Sequence, residues 1–242
     1  MSSGNISIIG KPNVGKSTLF NLLIKKHLAG ATNKPQTTRH KIDAVLHEDD
    51  TEFLFVDTPG LNFNIKKDFN KILNKNALSA IYEADVILHV VDYFKIDRED
   101  IKVIENINNI SLPKILVLNK IDLDNKKKNL PKILSEIPKD IIKVYDEIIP
   151  VSSKNSKNIK NLKKIIKSHI PINNKNNYEN ILSNKPKEFF VAEYIREACL
   201  KYLSVELPYS LHVEINKFED EEDIISIAST VYLKKKSHLS IV

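Results

Sequence analysis

The chain has 242 residues, 42% hydrophobic and 28% charged, with a formal net charge of +6 and one cysteine, Cys199. This length holds a full-sized domain and a smaller partner, and one cysteine excludes an intramolecular disulfide. No apolar stretch approaches the ~20 residues that cross a bilayer and no signal peptide opens the chain, so the expectation is a cytoplasmic protein.

Strands and helices alternate through residue 170, the pattern of a mostly parallel sheet with helices on both faces, an α/β fold. The predicted order is strand 5–9, helix 16–26, and paired strands 40–48 and 52–57 around Glu48-Asp49-Asp50. Helix 68–82, strand 85–91, helix 98–108, strand 114–119, helix 127–137, strand 146–151 and helix 157–169 follow. Residues 171–186 read as a polar linker bounded by Pro171 and Pro186. Beyond it the pattern changes to a helix over 187–203, a strand from Tyr209 to Phe218, an acidic turn from Glu219 to Asp223, and a strand over 224–235. The organisation read is therefore a domain over 1–170, a linker over 171–186 and a second, α+β unit over 187–242.

The first strand runs into Gly10-Lys11-Pro12-Asn13-Val14-Gly15-Lys16-Ser17, followed by Thr18 at the start of a helix. A glycine-rich turn between strand and helix aims backbone N–H groups and the positive end of the helix dipole at one spot, a phosphate cradle. Lys16 then reaches the β/γ oxygens and the Ser17 hydroxyl is placed for Mg²⁺. Asp57-Thr58-Pro59-Gly60-Leu61 ends the strand 52–57; the carboxylate stands behind the metal, and Gly60, free of Cβ, can bring its N–H to a γ-phosphate. Strand 114–119 feeds Asn119-Lys120-Ile121-Asp122, whose aspartate can accept from both the ring N1–H and the exocyclic amine of guanine, donors that adenine lacks in that arrangement. Strand 146–151 ends in Ser152-Ser153-Lys154, whose amide and lysine can reach the guanine O6 and ring. Each motif alone is weak, but all of them in this order at the carboxyl ends of strands mark a guanine-nucleotide site. Between the first two lies the polar segment Lys34 to His40, read as a switch in which Thr38, in preference to Thr37, joins Ser17 and Asp57 around Mg²⁺.

The remaining conspicuous residues are read as structural. His89 sits in the apolar strand 85–91 and is taken as a satisfied core histidine; His169 and His212 show no metal spacing. Cys199 is taken as a packed thiol. The basic excess lies in residues 1–186, at Lys126-Lys127-Lys128 and from Lys154 to Lys167, while 187–242 holds seven Lys/Arg against ten Asp/Glu.

Taken with Gln36-Thr37-Thr38-Arg39-His40, Ile195-Arg196-Glu197 and Glu206-Leu207-Pro208-Tyr209-Ser210, these motifs resemble the Era family of bacterial ribosome-assembly GTPases, of the TrmE–Era–EngA type, along essentially the whole chain. The resemblance implies a Ras-like P-loop GTPase domain hydrolysing GTP to GDP, then a KH-type RNA-binding domain that starts helix–strand–strand. It implies small-subunit ribosomal RNA and the 30S subunit as partners. The expected catalytic set is Lys16, Thr38, Gly60 and Asn13, with Mg²⁺ on Ser17, Thr38 and Asp57. Leu61 stands where Ras-like enzymes carry a water-orienting glutamine. Relatives with that change carry an asparagine that helps hold K⁺ beside the phosphates, matched here by Asn13, which has loop shaping as its plainer role. The glycines are Gly4, Gly10, Gly15, Gly30 and Gly60, so the Gly-x-x-Gly clamp of KH domains is missing. Either the chain is cut short or it has given up RNA binding, which leaves a GTP-regulated protein-interaction module as the alternative. A monomer, with peripheral association at the inner face of the cell membrane, completes the expectation.

Overall fold

Runs such as Val86-Ile87-Leu88-His89-Val90-Val91 carry apolar side chains on both sides of the strand, so they are stable only where helices cover both faces of a sheet. A computed structural model shows that arrangement; it describes residues 2–32, 34, 37–63, 68–124, 135, 137–172, 181–203, 211–222 and 224–233. The sheet is six-stranded, in the order β2-β3-β1-β4-β5-β6. Its strands are β1 (Ser2–Ile9), β2 (Ile42–Glu48), β3 (Thr51–Asp57), β4 (Val86–Asp92), β5 (Lys114–Asn119) and β6 (Glu147–Pro150). Only β2 runs antiparallel to its neighbour.

Alternation along each strand splits the core in two. Leu88 and Val90 of β4 and Ile115 and Val117 of β5 face α1 (Lys16–Ile24) and the later helix α5 (Ile159–His169), packing against Leu19, Phe20, Leu23, Leu162 and Ile166. Ile87 and Val91, with Leu116 and Leu118, face α2 (Asp68–Tyr82) and α3 (Arg98–Ile107) through Ala77, Ile81, Val103 and Ile107. Asp97 caps α3 in a reciprocal box with Asp100. A short helix, α4 (Lys139–Ile142), precedes β6.

The second unit consists of α6 (Lys187–Tyr202) against the antiparallel pair β7 (Leu211–Asp220) and β8 (Ile225–Leu233), with a register shift between Ile215 and Lys217. Observed ends differ from the expected ones mainly by one or two residues, as caps and frayed turns dictate. β1 starts earlier, at Ser2, because it pairs with β3 from there. β7 continues through Asp220, so the acidic turn is shorter than expected. Residues 127–134 and 136 of the expected helix 127–137, the Lys126–Lys128 run, Glu206–Ser210 and half of the linker, 173–180, lie outside the described residues.

Candidate nucleotide-binding site

All the motifs meet at the carboxyl edge of β1, β3, β4, β5 and β6, where the strand order steps outward on either side of β1 and β4. The loop after β1 turns through Asn13 (φ 65°) and Gly15 (φ 95°), both left-handed, before α1 begins at Lys16. Gly15 is required twice over, since a Cβ there would also lie 2.4 Å from Asn119 Nδ2. Gly60 packs as tightly, with a built Cβ 2.8 Å from the Pro12 backbone, which brings the Asp57–Gly60 turn onto the phosphate loop. The Leu61 N–H then donates to the Gly10 carbonyl at 3.0 Å.

Lys16 is buried, and its Nζ donates to the Lys11 carbonyl at 2.9 Å. Burial lowers its pKa to about 8 against the opposing charges of Asp57 and Asp100. Around Asp57, Ser17 Oγ lies 2.7 Å from Oδ2 and 2.8 Å from Thr38 Oγ1, and Thr38 Oγ1 donates to the same carboxylate oxygen at 3.3 Å. Asp57 Oδ1 is buried with no partner among the described residues, and burial raises the carboxyl pKa to about 6 over the opposing effects of Lys16, Ser17, Thr38 and the Thr58 N–H. Two hydroxyls and a carboxylate short of a partner form a hard-oxygen set that suits Mg²⁺. Thr37 is turned elsewhere: its Oγ1 donates to the Lys34 carbonyl at 2.6 Å and lies 2.7 Å from Thr32 Oγ1.

At the base end, Asn119 acts as a strut. Its Nδ2 donates to the Val14 carbonyl at 2.8 Å, and its Oδ1 accepts from Ser153 N at 3.0 Å and Ser153 Oγ at 2.9 Å. The amide thus joins the phosphate loop to the β6 corner; these bonds use both lone pairs of Oδ1 and one of the two Nδ2 hydrogens, so one N–H donor remains for a base. Ser152 Oγ donates to Asp122 Oδ1 at 2.5 Å, orienting that carboxylate. Lys120, left-handed at φ 73°, sends Nζ to Asp92 Oδ2 at 2.8 Å, and Lys154 is exposed at the rim.

Several expected contact residues engage their side chains elsewhere in the protein. Thr58 is fully buried and donates to the Ile8 carbonyl at 2.7 Å; Val14 and Leu61 are core residues. The Lys11 ammonium is drawn away to Asp100 (2.6 Å) and Asp97 (2.9 Å), tying the loop to the start of α3. His89 is buried beside Tyr145 OH at 2.5 Å, and burial lowers its pKa to about 3. Burial likewise raises the pKa of the Cys199 thiol. Lining residues absent from the expected site are Gly30, Ala31 and Thr32, together with Thr37, which line the cradle with Lys16 and Ser17. No motif announces the first three; only the return of the chain after α1 places them there.

A GTPase family described as "50S ribosome-binding GTPase" matches residues 5–120. The chain is 36% identical to the GTPase Era of Clostridioides difficile, over 99% of this chain and 81% of that protein. It is 34% identical to the GTPase Era of Pseudomonas fluorescens over 99% and 79%. Among solved structures it is similar to Era in complex with MgGDPNP and nucleotides 1506–1542 of 16S ribosomal RNA, with a TM-score of 0.92, 29% identity, and coverage of 98% of this chain and 81% of that one. The nucleotide-binding portion is similar to NFeoB from S. thermophilus bound to GDP·AlF4⁻ and K⁺, with a TM-score of 0.53, 26% identity, and coverage of 70% and 62%.

Proposed function

The chain belongs to the Era family of GTPases, and on that premise we propose that it is a GTP-driven switch for 16S ribosomal RNA in small-subunit assembly. The observation that carries this reading is the Ser17–Thr38–Asp57 cluster, whose threonine lies on a segment held by the second unit. The small subunit is favoured over the large because the Era relatives match through the second unit, whereas the "50S ribosome-binding" description covers residues 5–120 alone.

The residues divide the work by position. Lys16 and the amides of the Gly10–Ser17 loop bind the β- and γ-phosphates, where the buried ammonium offsets charge as the γ-phosphoryl loosens. Ser17, Thr38 and Asp57 would hold Mg²⁺, which supplies charge neutralisation at the phosphate oxygens. The Gly60 N–H meets the γ-phosphate, and the oriented Asp122 carboxylate selects guanine. Leu61 is buried and cannot orient water, so hydrolysis is slow. Asn13, exposed in a left-handed bend at the mouth of the cradle, is placed to help hold K⁺ there, as the likeness to a K⁺-bound relative supports. In the same reading the protein is a cytoplasmic monomer with peripheral membrane association.

The test is binding of the chain, loaded with a non-hydrolysable GTP analogue or with GDP, to single-stranded RNA from the 3′ end of small-subunit RNA across a salt series. The reading predicts tighter binding with the GTP analogue than with GDP and than to a scrambled RNA. Equal binding to the scrambled RNA would overturn it, leaving a GTPase whose second unit serves a protein partner. The exposed Ile225 and Ile227 of β8 would suit that role.

A further inference from the structure

Among the described residues, several polar contacts join the second unit to the segment that ends in the switch threonine. Helix α6 presents Glu193, Arg196 and Glu197, each no more than 6% exposed, toward residues 27–39. Glu193 accepts from Arg196 Nε at 3.0 Å and pairs with Nη2, fixing the plane of the guanidinium. The same Nη2 donates to the backbone carbonyl of Thr37, the residue before Thr38. Glu197 accepts from the Ala31 N–H at 3.3 Å and from His27 Nε2 at 2.8 Å, and Lys201 pairs with it at 2.7 Å. The segment reaches back as well: Lys34 Nζ donates to the Leu203 carbonyl at 2.9 Å and Arg39 Nη1 to the Leu211 carbonyl at 2.9 Å. His40 sets its ring edge-on to Phe189, 5.9 Å between centroids.

Adhesion alone does not require this chemistry. Apolar side chains would join the two units at least as well, because a buried ion pair gains little net stability over a hydrophobic replacement. Charge-assisted bonds to backbone atoms instead fix a position, and here they fix the residues on either side of the threonine hydroxyl that closes on Ser17 and Asp57. We propose that Arg196 is a positioning residue for Thr38, so that the second unit sets how strongly the first prefers GTP over GDP. By linkage, whatever occupies the second unit and displaces α6 alters that preference, and GTP alters the affinity of the occupant by the same factor. The proposal rests on the reading of Thr38 as the residue that faces Mg²⁺ and the γ-phosphate.

The experiment measures, on the full chain, the dissociation constants for fluorescent GDP and for a non-hydrolysable GTP analogue across a Mg²⁺ titration. The variants are Arg196→Ala, Arg196→Lys, the charge-free pair Glu193→Gln with Arg196→Gln, and Thr38→Ala. Loss of a buried charge-assisted bond predicts that Arg196→Ala weakens the GTP analogue roughly ten-fold or more and leaves GDP within about two-fold. The Mg²⁺ needed for half-maximal binding should rise in parallel, and Arg196→Lys should recover part of the loss. If Arg196→Ala fails to fold, the double variant decides, since it leaves no buried charge unpaired. An unchanged ratio of the two affinities in the Arg196 variants, with Thr38→Ala lowering it, would overturn the proposal and reduce Arg196 to an interface residue. An unchanged ratio in Thr38→Ala would instead overturn the reading of Thr38 on which the proposal rests.

Discussion

The two sides of the nucleotide cradle are held by different means. On one side the phosphate loop and the guanine corner are tied to each other and to the sheet: Asn119 bonds Val14 and Ser153, Thr58 bonds Ile8, and Lys11 bonds Asp97 and Asp100. On the other side, the described residues from Ala31 to Arg39 have polar ties to α6, Leu203 and Leu211 of the second unit, besides those of Thr38 itself. On the proposed reading the rigid half binds guanine and the phosphates. Thr38 adds its contact near the γ-phosphate from a half that answers to the second unit.

Substitutions in the rigid half should damage both nucleotides, and the largest effect is expected at Lys16. Lys16→Ala removes the buried cation and should cost about 10²–10³ in the GTP hydrolysis rate, read in a phosphate-release assay, and should weaken GDP and GTP alike by titration. Asp122→Asn should lower GTP and GDP affinity by about 10², since a buried polar site rejects a base whose donors it cannot pair. Binding should return with xanthosine nucleotides, and failure of that rescue would argue against the guanine assignment. Thr38→Ala should separate the halves: an affinity loss of roughly ten-fold for the GTP analogue, with GDP unchanged within about two-fold.

The last expected effect concerns pH and acts on stability rather than on nucleotide affinity. Burial depresses the His89 pKa to about 3, below its unfolded value near 6.5, so the unfolded chain binds the extra proton first. Its contribution is therefore complete above pH ~6.5 and is lost as pH falls toward 3, at a slope of about 1.4 kcal/mol per unit. Denaturant titrations at pH 7 and 5 should show this loss, and His89→Gln should flatten it. Glu197 in the clamp behaves differently. Burial raises its pKa, but Lys201, His27 and the Ala31 N–H together outweigh that and hold it below the ordinary glutamate range. The contacts of Glu197 thus persist from neutral pH down to that range, then weaken as the carboxylate protonates.

Much of the rigid half was legible in the sequence, because its information is local. Short Val/Ile/Leu runs bounded by turn residues read as doubly covered strands, and the loops after them carry residue types whose chemistry is tied to spacing. Thr38 could be preferred over Thr37, and the structure places its hydroxyl with Ser17 and Asp57. The bracing role of Asn119 was less legible, since a motif names a residue without saying that its amide also ties neighbouring loops together. The responsive half was hardly legible at all. Ile195-Arg196-Glu197 carries only a family resemblance in the sequence, and nothing there foretells its burial, because charge on a helix normally points to water. Its burial depends on where the second unit docks, which no periodicity within α6 encodes. Lys120 bonding Asp92, and Ala31 bonding Glu197, are likewise products of topology.

The most direct test of the contrast is backbone hydrogen exchange of the full chain with Mg²⁺ and either GDP or a non-hydrolysable GTP analogue. The account predicts that residues 10–17 and 119–122 are protected equally by both nucleotides. Residues 31–39 should gain protection with the GTP analogue alone, accompanied by a change along 193–203. Equal protection of 31–39 in both states, or a response of that segment without any change in α6, would contradict it.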